Sequence, residues 1–445
     1  MPRLLALWGR LRDSLWFVPS LIVLCAIALG VVMIEASTLI DDEVLARWPR
    51  VFGAGPEGSR SMLAAIASSM ITVAGVTFSI TMVAVTQASA QYSPRILRNF
   101  MRDRANQAVL GVFVGVFAYC LVVLRTIREG EHSVFVPSLA VLTGVLLALL
   151  GVAVLIFFVH HIASTLQASE LIARITQETR GVLDRLYQEE GAAEGRPAGP
   201  EVAPDRWHPV AAPATGYLQR ADLRGLLDLA DRHDLLIRLG RPTGEFVVQG
   251  HPVATFTRHP DGGPGGLGAG RNQDDLADAL ARQFVVGNYR TIDHDPSFGI
   301  RQLVDVALKA LSPGVNDPTT AVNCIDYLGA LLVGTAGRRR SLQHAGRNQP
   351  AKRVRVITCE PGFAELLEMS VDEIRQHARG NVGVLLRQLG VLEQVAAATP
   401  PGEQRRAVAR QVELVRGAAE TTVSQRHDLE RIEEAASRAL AAAAG

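Results

Sequence analysis

The chain has 445 residues, of which 48% are hydrophobic and 20% charged, and its net charge is +1. That length holds two or three domains able to bury a core, and the near-neutral balance excludes the basic excess of a dedicated nucleic-acid binder. Cys25, Cys120, Cys324 and Cys359 form no C-x-x-C pair, which excludes a disulfide scaffold and a paired-cysteine zinc site.

Between Leu15 and Val159 charge is nearly confined to short loops, whereas from Glu170 onward it is dense and mixed in sign. Lys309 and Lys352 are the only lysines, so the abundant arginines reflect a compositional bias rather than a set of phosphate ligands. Four stretches are long and apolar: Ser14 to Ile34, Ser61 to Gln91, Ala105 to Leu124 and Ser133 to Val159. A bilayer core takes about 20 such residues, folded as helix because lipid leaves no partner for open backbone groups. The first stretch, with Trp16 at its headgroup end, is longer than a signal peptide. No Ala-x-Ala site follows it cleanly, so it reads as a retained anchor.

Arginines set the orientation. Arg3, Arg10 and Arg12 precede the first span, and Arg95, Arg98, Arg102 and Arg104 fill the second loop. The first loop opens with Asp41, Asp42 and Glu43, although it also carries Arg47, Arg50 and Arg60, and the third loop carries Arg125 and Arg128. Both termini are therefore expected in the cytoplasm. Ser93-Pro94 starts a short helix whose arginines face a membrane surface while Ile96, Leu97, Phe100 and Met101 form its apolar side.

In the second span Ser68, Thr72, Gly75, Ser79 and Thr86 fall on a stripe about 60° wide at about 100° per residue. Close helix packing is the simpler reading, and a wet pore lining the alternative. Gly111-x-x-x-Gly115 in the third span, and Gly144, Ala148 and Gly151 in the fourth, are small-residue contact faces. Together these features point to a tight bundle and a homo-oligomer.

Beyond His160 and His161 an apolar rhythm from Ile162 to Leu186 predicts that the fourth helix continues out of the membrane. The linker from Gly191 to Pro204 leads to an α+β module, with strands near Gly216 to Leu218, Leu235 to Leu239, Glu245 to Val248 and through Phe256. The glycine-rich loop from Asp261 to Gly270 lacks the Gly-Lys-Ser/Thr ending of a phosphate-binding P-loop. The densest polar constellation joins Asp293, His294 and Asp295 to Asn316 and Asp317. One reading has these residues converge on a metal or phosphate. The other has Ser312-Pro313-Gly314 end a helix and Asp317 cap the next, with Pro318 at its first position; it accounts for every residue of the second run and is preferred. Arg338, Arg339 and Arg340 read as a polar loop, and Phe363 to Val395 and Glu403 to Leu440 as helices.

The expected architecture is an α-helical membrane protein with four transmembrane helices, a cytoplasmic α+β domain and a helical C-terminus. Its parts are residues 1–160 for the membrane domain, 161–206 for a helix and linker, 207–335 for the module and 336–445 for a loop and terminal helices.

The chain resembles the bacterial membrane-protein family known as domain of unknown function 2254. The match is carried by Ser14-Leu15-Trp16-Phe17-Val18-Pro19, Gly75-Val76-Thr77-Phe78-Ser79-Ile80 and Tyr92-Ser93-Pro94-Arg95 through Asn99-Phe100-Met101-Arg102-Asp103. To these is added Ala310-Leu311-Ser312-Pro313-Gly314-Val315-Asn316-Asp317-Pro318. The resemblance implies a bacterial plasma membrane and brings no activity, ligand or catalytic residue.

Three functions compete. An oligomeric conduit for a small ion or solute, with a regulatory cytoplasmic module, ranks slightly above a sensor or scaffold that binds a protein partner. A membrane-held enzyme ranks last, since no Ser-His-Asp ordering or H-E-x-x-H string is present. No cofactor or metal is expected, and the expected surroundings are lipid and further copies of the chain.

Overall fold

The computed structural model describes residues 16–39, 55–91, 104–130, 133–165, 167–189, 203, 206–260, 271–340, 343–345 and 354–444. The chain divides into two compact units, Met1–Glu170 and Leu171–Gly445.

The first unit contains α1 (Phe17–Leu39), α2 (Pro56–Gln91), α3 (Arg104–Thr126), a short hairpin of β1 (Arg128–Gly130) and β2 (Ser133–Phe135), and α4 (Ser138–Thr165). All four helices are long and apolar enough to cross a membrane. At 36 residues, α2 is about 54 Å long, more than a hydrocarbon core of about 30 Å requires. The third helix is the most enclosed, touching α1, α2 and α4.

Glycines set these contacts. A Cβ on Gly111 would fall 2.8 Å from Ile22 Cδ1 and 3.0 Å from Pro19 Cα, and one on Gly115 would fall 3.3 Å from Ala26 Cβ. Gly144 meets Leu63 in the same way at 2.8 Å, and Gly151 meets the Met70 sulfur at 2.9 Å. The expected small-residue faces are thus contact faces between helices of one chain. Rising residue numbers on both partners show that α1 runs parallel to α3, and α2 parallel to α4. That is the arrangement of four helices crossing in alternation. At the hairpin end the Tyr119 hydroxyl donates to the Ala140 carbonyl at 2.7 Å, and Arg60 donates to the Ile127 carbonyl at 2.8 Å.

Helix α5 (Ala168–Leu186) crosses the boundary into the second unit, and its Leu171, Ile172, Ile175, Val182 and Leu183 are buried. The expected continuous helix is therefore two helices, broken between Thr165 and Ala168. Next come β3 (Tyr187–Glu189), β4 (His208–Ala211), β5 (Gly216–Ala221), α6 (Leu223–His233), β6 (Leu235–Leu239), β7 (Phe246–Val247) and β8 (Pro252–Arg258). They are followed by α7 (Arg271–Ala281), β9 (Phe284–Gly287), a 3-10 turn (Ile292–His294), α8 (Pro296–Ala310), α9 (Pro318–Thr335), β10 (Arg338–Arg340), β11 (Gln343–Ala345) and β12 (Val354–Ile357). Helices α10 (Phe363–Ala378), α11 (Val382–Ala398), α12 (Glu403–Thr422) and α13 (Arg426–Ala444) complete the unit.

Five strands form one sheet in the order β11-β12-β6-β8-β4, in which β12 and β6 are parallel and the other pairs antiparallel. Three form a second antiparallel sheet, β7-β5-β9. Leu218, Leu226, Ala230, Leu235, Ile237, Phe256, Leu280 and Val356 belong to one core between strands and helices. Arg338, Arg339 and Arg340, expected in a loop, form a strand paired with Tyr187, Gln188 and Glu189.

Each long terminal helix expected from the sequence is also two. Arg379 and Gly380 both take left-handed backbone angles, with φ of 46° and 78°, and the Asn381 side chain then caps α11 by accepting from the Val384 N–H. The second break follows the extended residue Val423, before α13 starts at Arg426. Helix α8 packs on α9 and α10, and α11 bridges α9 to α13.

Candidate functional site

Helix α2 has two unlike faces. Leu63, Ala67, Met70, Ala74, Thr77 and Ala84 are buried, and on the helical wheel they centre about 180° from the polar stripe. Ser68, Thr72, Gly75, Ser79 and Thr86 are all exposed, and a Cβ on Gly75 would meet nothing within 4 Å. The hydroxyls of Thr72 and Thr86 donate to the carbonyls of Ser68 and Met82, at 2.8 and 2.9 Å, so the helix satisfies them itself. Among the described residues the stripe takes no part in packing within the chain. Arg104 is the exposed first residue of α3, while Arg95, Arg98 and Arg102 lie outside the described residues.

The constellation of the second unit divides into two runs. In the first, Asp295 caps α8: its Oδ1 accepts the Phe298 N–H at 3.1 Å, and its Oδ2 accepts Arg290 Nε and Nη2 at 2.9 and 2.8 Å. The guanidinium carbon also lies 5.2 Å from the centre of the Phe298 ring. Burial raises the Asp295 pKa, and Arg290 opposes the rise.

The turn before β7 closes over this pair. Gly244, at φ +93°, comes so near that a Cβ there would lie 1.9 Å from Asp295 Oδ2, so only glycine fits. Beside it, Thr243 donates its N–H and hydroxyl to the Glu360 carboxylate at 3.4 and 3.0 Å.

Asp293 and His294 lie on the 3-10 turn, beside residues the sequence reading did not single out. Arg185 of α5 donates to the Asp293 carbonyl at 3.4 Å. The pKa of His294 is lowered first by burial, then by Arg220 of β5, with Arg185 acting the same way and Asp293 opposing. Glu178 is raised by burial, with Arg174 opposing and Asp293 adding to the rise.

In the second run, Asp317 caps α9 by accepting from the Thr320 N–H at 3.1 Å and from its hydroxyl, and these bonds lower its pKa. Asn316 supplies a left-handed turn residue, with φ of 49°. No hydrogen bond or ion pair among the described residues joins the two runs. Nor is any group of three or more His, Cys, Asp and Glu side chains among them disposed to hold a metal ion.

A charged residue that the sequence did not reveal is central to the larger sheet. Arg355 of β12 is fully buried and reaches Asp234 at 2.7 Å and Asp231 at 3.5 Å. Asp234 is the left-handed residue that ends α6. Flanked by Val354 and Val356, Arg355 carries no local signal that it points into the protein rather than to water.

The model of the family described as "Predicted membrane protein (DUF2254)" matches residues 12–394. An uncharacterized protein of Mycobacterium bovis is 32% identical over 441 residues, which cover 98% of this chain and 81% of that protein. An uncharacterized protein of Mycobacterium tuberculosis shows the same identity over the same shares of each chain. No solved structure matches the chain. With a family model covering most of its length and relatives matched nearly end to end, the chain belongs to the DUF2254 family of predicted membrane proteins.

Proposed function

We propose that the protein is a multi-pass component of the bacterial plasma membrane with both termini in the cytoplasm. In this reading it assembles as a homo-oligomer whose α2 helices face one another around a conduit for a small ion or solute. The second unit is its cytoplasmic regulatory module. The observation that carries this reading is the exposed polar stripe of α2, set opposite the face that α2 buries in its own chain. Hydroxyls and glycine facing lipid would gain nothing there, whereas between copies they permit close approach or line water.

The alternation of the four helices supports termini on one side, and the arginine distribution supports the cytoplasm as that side. The cap roles of Asp295 and Asp317 engage both carboxylates in holding helices, which favours the conduit over an enzyme built on them.

Reconstitution in liposomes tests the proposal. The wild-type chain should pass ions or small solutes, and Thr72→Leu or Ser79→Leu should change that flux by blocking the stripe without disturbing the buried face. Unchanged flux in both variants, with the oligomer intact, would remove the stripe from the mechanism.

A further inference from the structure

We draw no further inference here: the strongest candidate, the apolar surface patch around Tyr217, Phe246 and Val285 on the β7-β5-β9 sheet, is interrupted by the Gln219 amide over Gly287, and nothing in the structure shows what covers it.

Discussion

Arg355 and Asp234 lie 121 residues apart in sequence and form one ion pair at 2.7 Å, the arginine wholly buried and the aspartate at the left-handed end of α6. The two partners differ in their access to water. Asp231 and Asp234 are 10% and 31% exposed, whereas Arg355 is 0% exposed.

This difference makes the mutational response asymmetric. Replacing both acids, as Asp231→Asn with Asp234→Asn, leaves a buried guanidinium without counter-charge and should cost about 3–5 kcal/mol. Arg355→Met leaves two acids that rehydrate, and its long apolar side chain refills the site, so it should cost distinctly less. Thermal or denaturant unfolding of the detergent-solubilised chain measures both. Equal losses would show that the cation has an escape to water.

The glycines of the first unit should separate into two classes. Gly111→Val forces branched methyls into Pro19 and Ile22, which approach to 3.0 and 2.8 Å of the first added carbon. It should therefore lower the stability of the bundle by at least about 1–3 kcal/mol. Gly75→Ala meets open space and exchanges a poor helix former for the best one, a gain of up to about 1 kcal/mol in water. It should leave the single chain as stable as before, so any change it causes in oligomer size or flux reports on contacts between copies. Melting curves and light scattering of the two variants read the contrast.

Acid should weaken the start of α9. The pKa of Asp317 is lower in the folded chain than in the unfolded one, because its carboxylate accepts from the Thr320 hydroxyl and N–H. The unfolded state therefore binds the proton first. The cap's contribution is complete above the ordinary aspartate range and is lost as pH falls through the lowered value. Asp317→Ala should cost about 1 kcal/mol near neutrality and should flatten this part of the acid response. Amide hydrogen exchange at Thr320 and Ala321, followed against pH in both forms, measures it.

The four long apolar helices were legible because their signal is local: about 20 apolar residues in a row is the length and composition that a bilayer crossing requires. The cap at Asp317 was equally local, an acid followed by proline and an apolar face. The break at Arg379-Gly380-Asn381 carried a legible Gly-Asn signal, yet the apolar rhythm on either side masked it. The break between Thr165 and Ala168 offers neither Gly nor Pro. Least legible were contacts across long loops. Nothing near Val354 announces a parallel partner in β6, and nothing near Asp295 announces that Gly244 will close over it. The stripe on α2 was visible as a pattern, but which side of the bundle it occupies depends on the neighbouring helices.

The parallel pairing of β12 with β6 has a bearing on synthesis. A ribosome releases β6, β8 and β4 long before β12, so the nascent sheet waits with one side of β6 unpaired while α7, α8 and α9 are still being made. An open strand edge invites pairing with other chains. The strand that closes this edge also carries Arg355, so the pairing of β6 and the ion pair with Asp234 are completed by the same late segment.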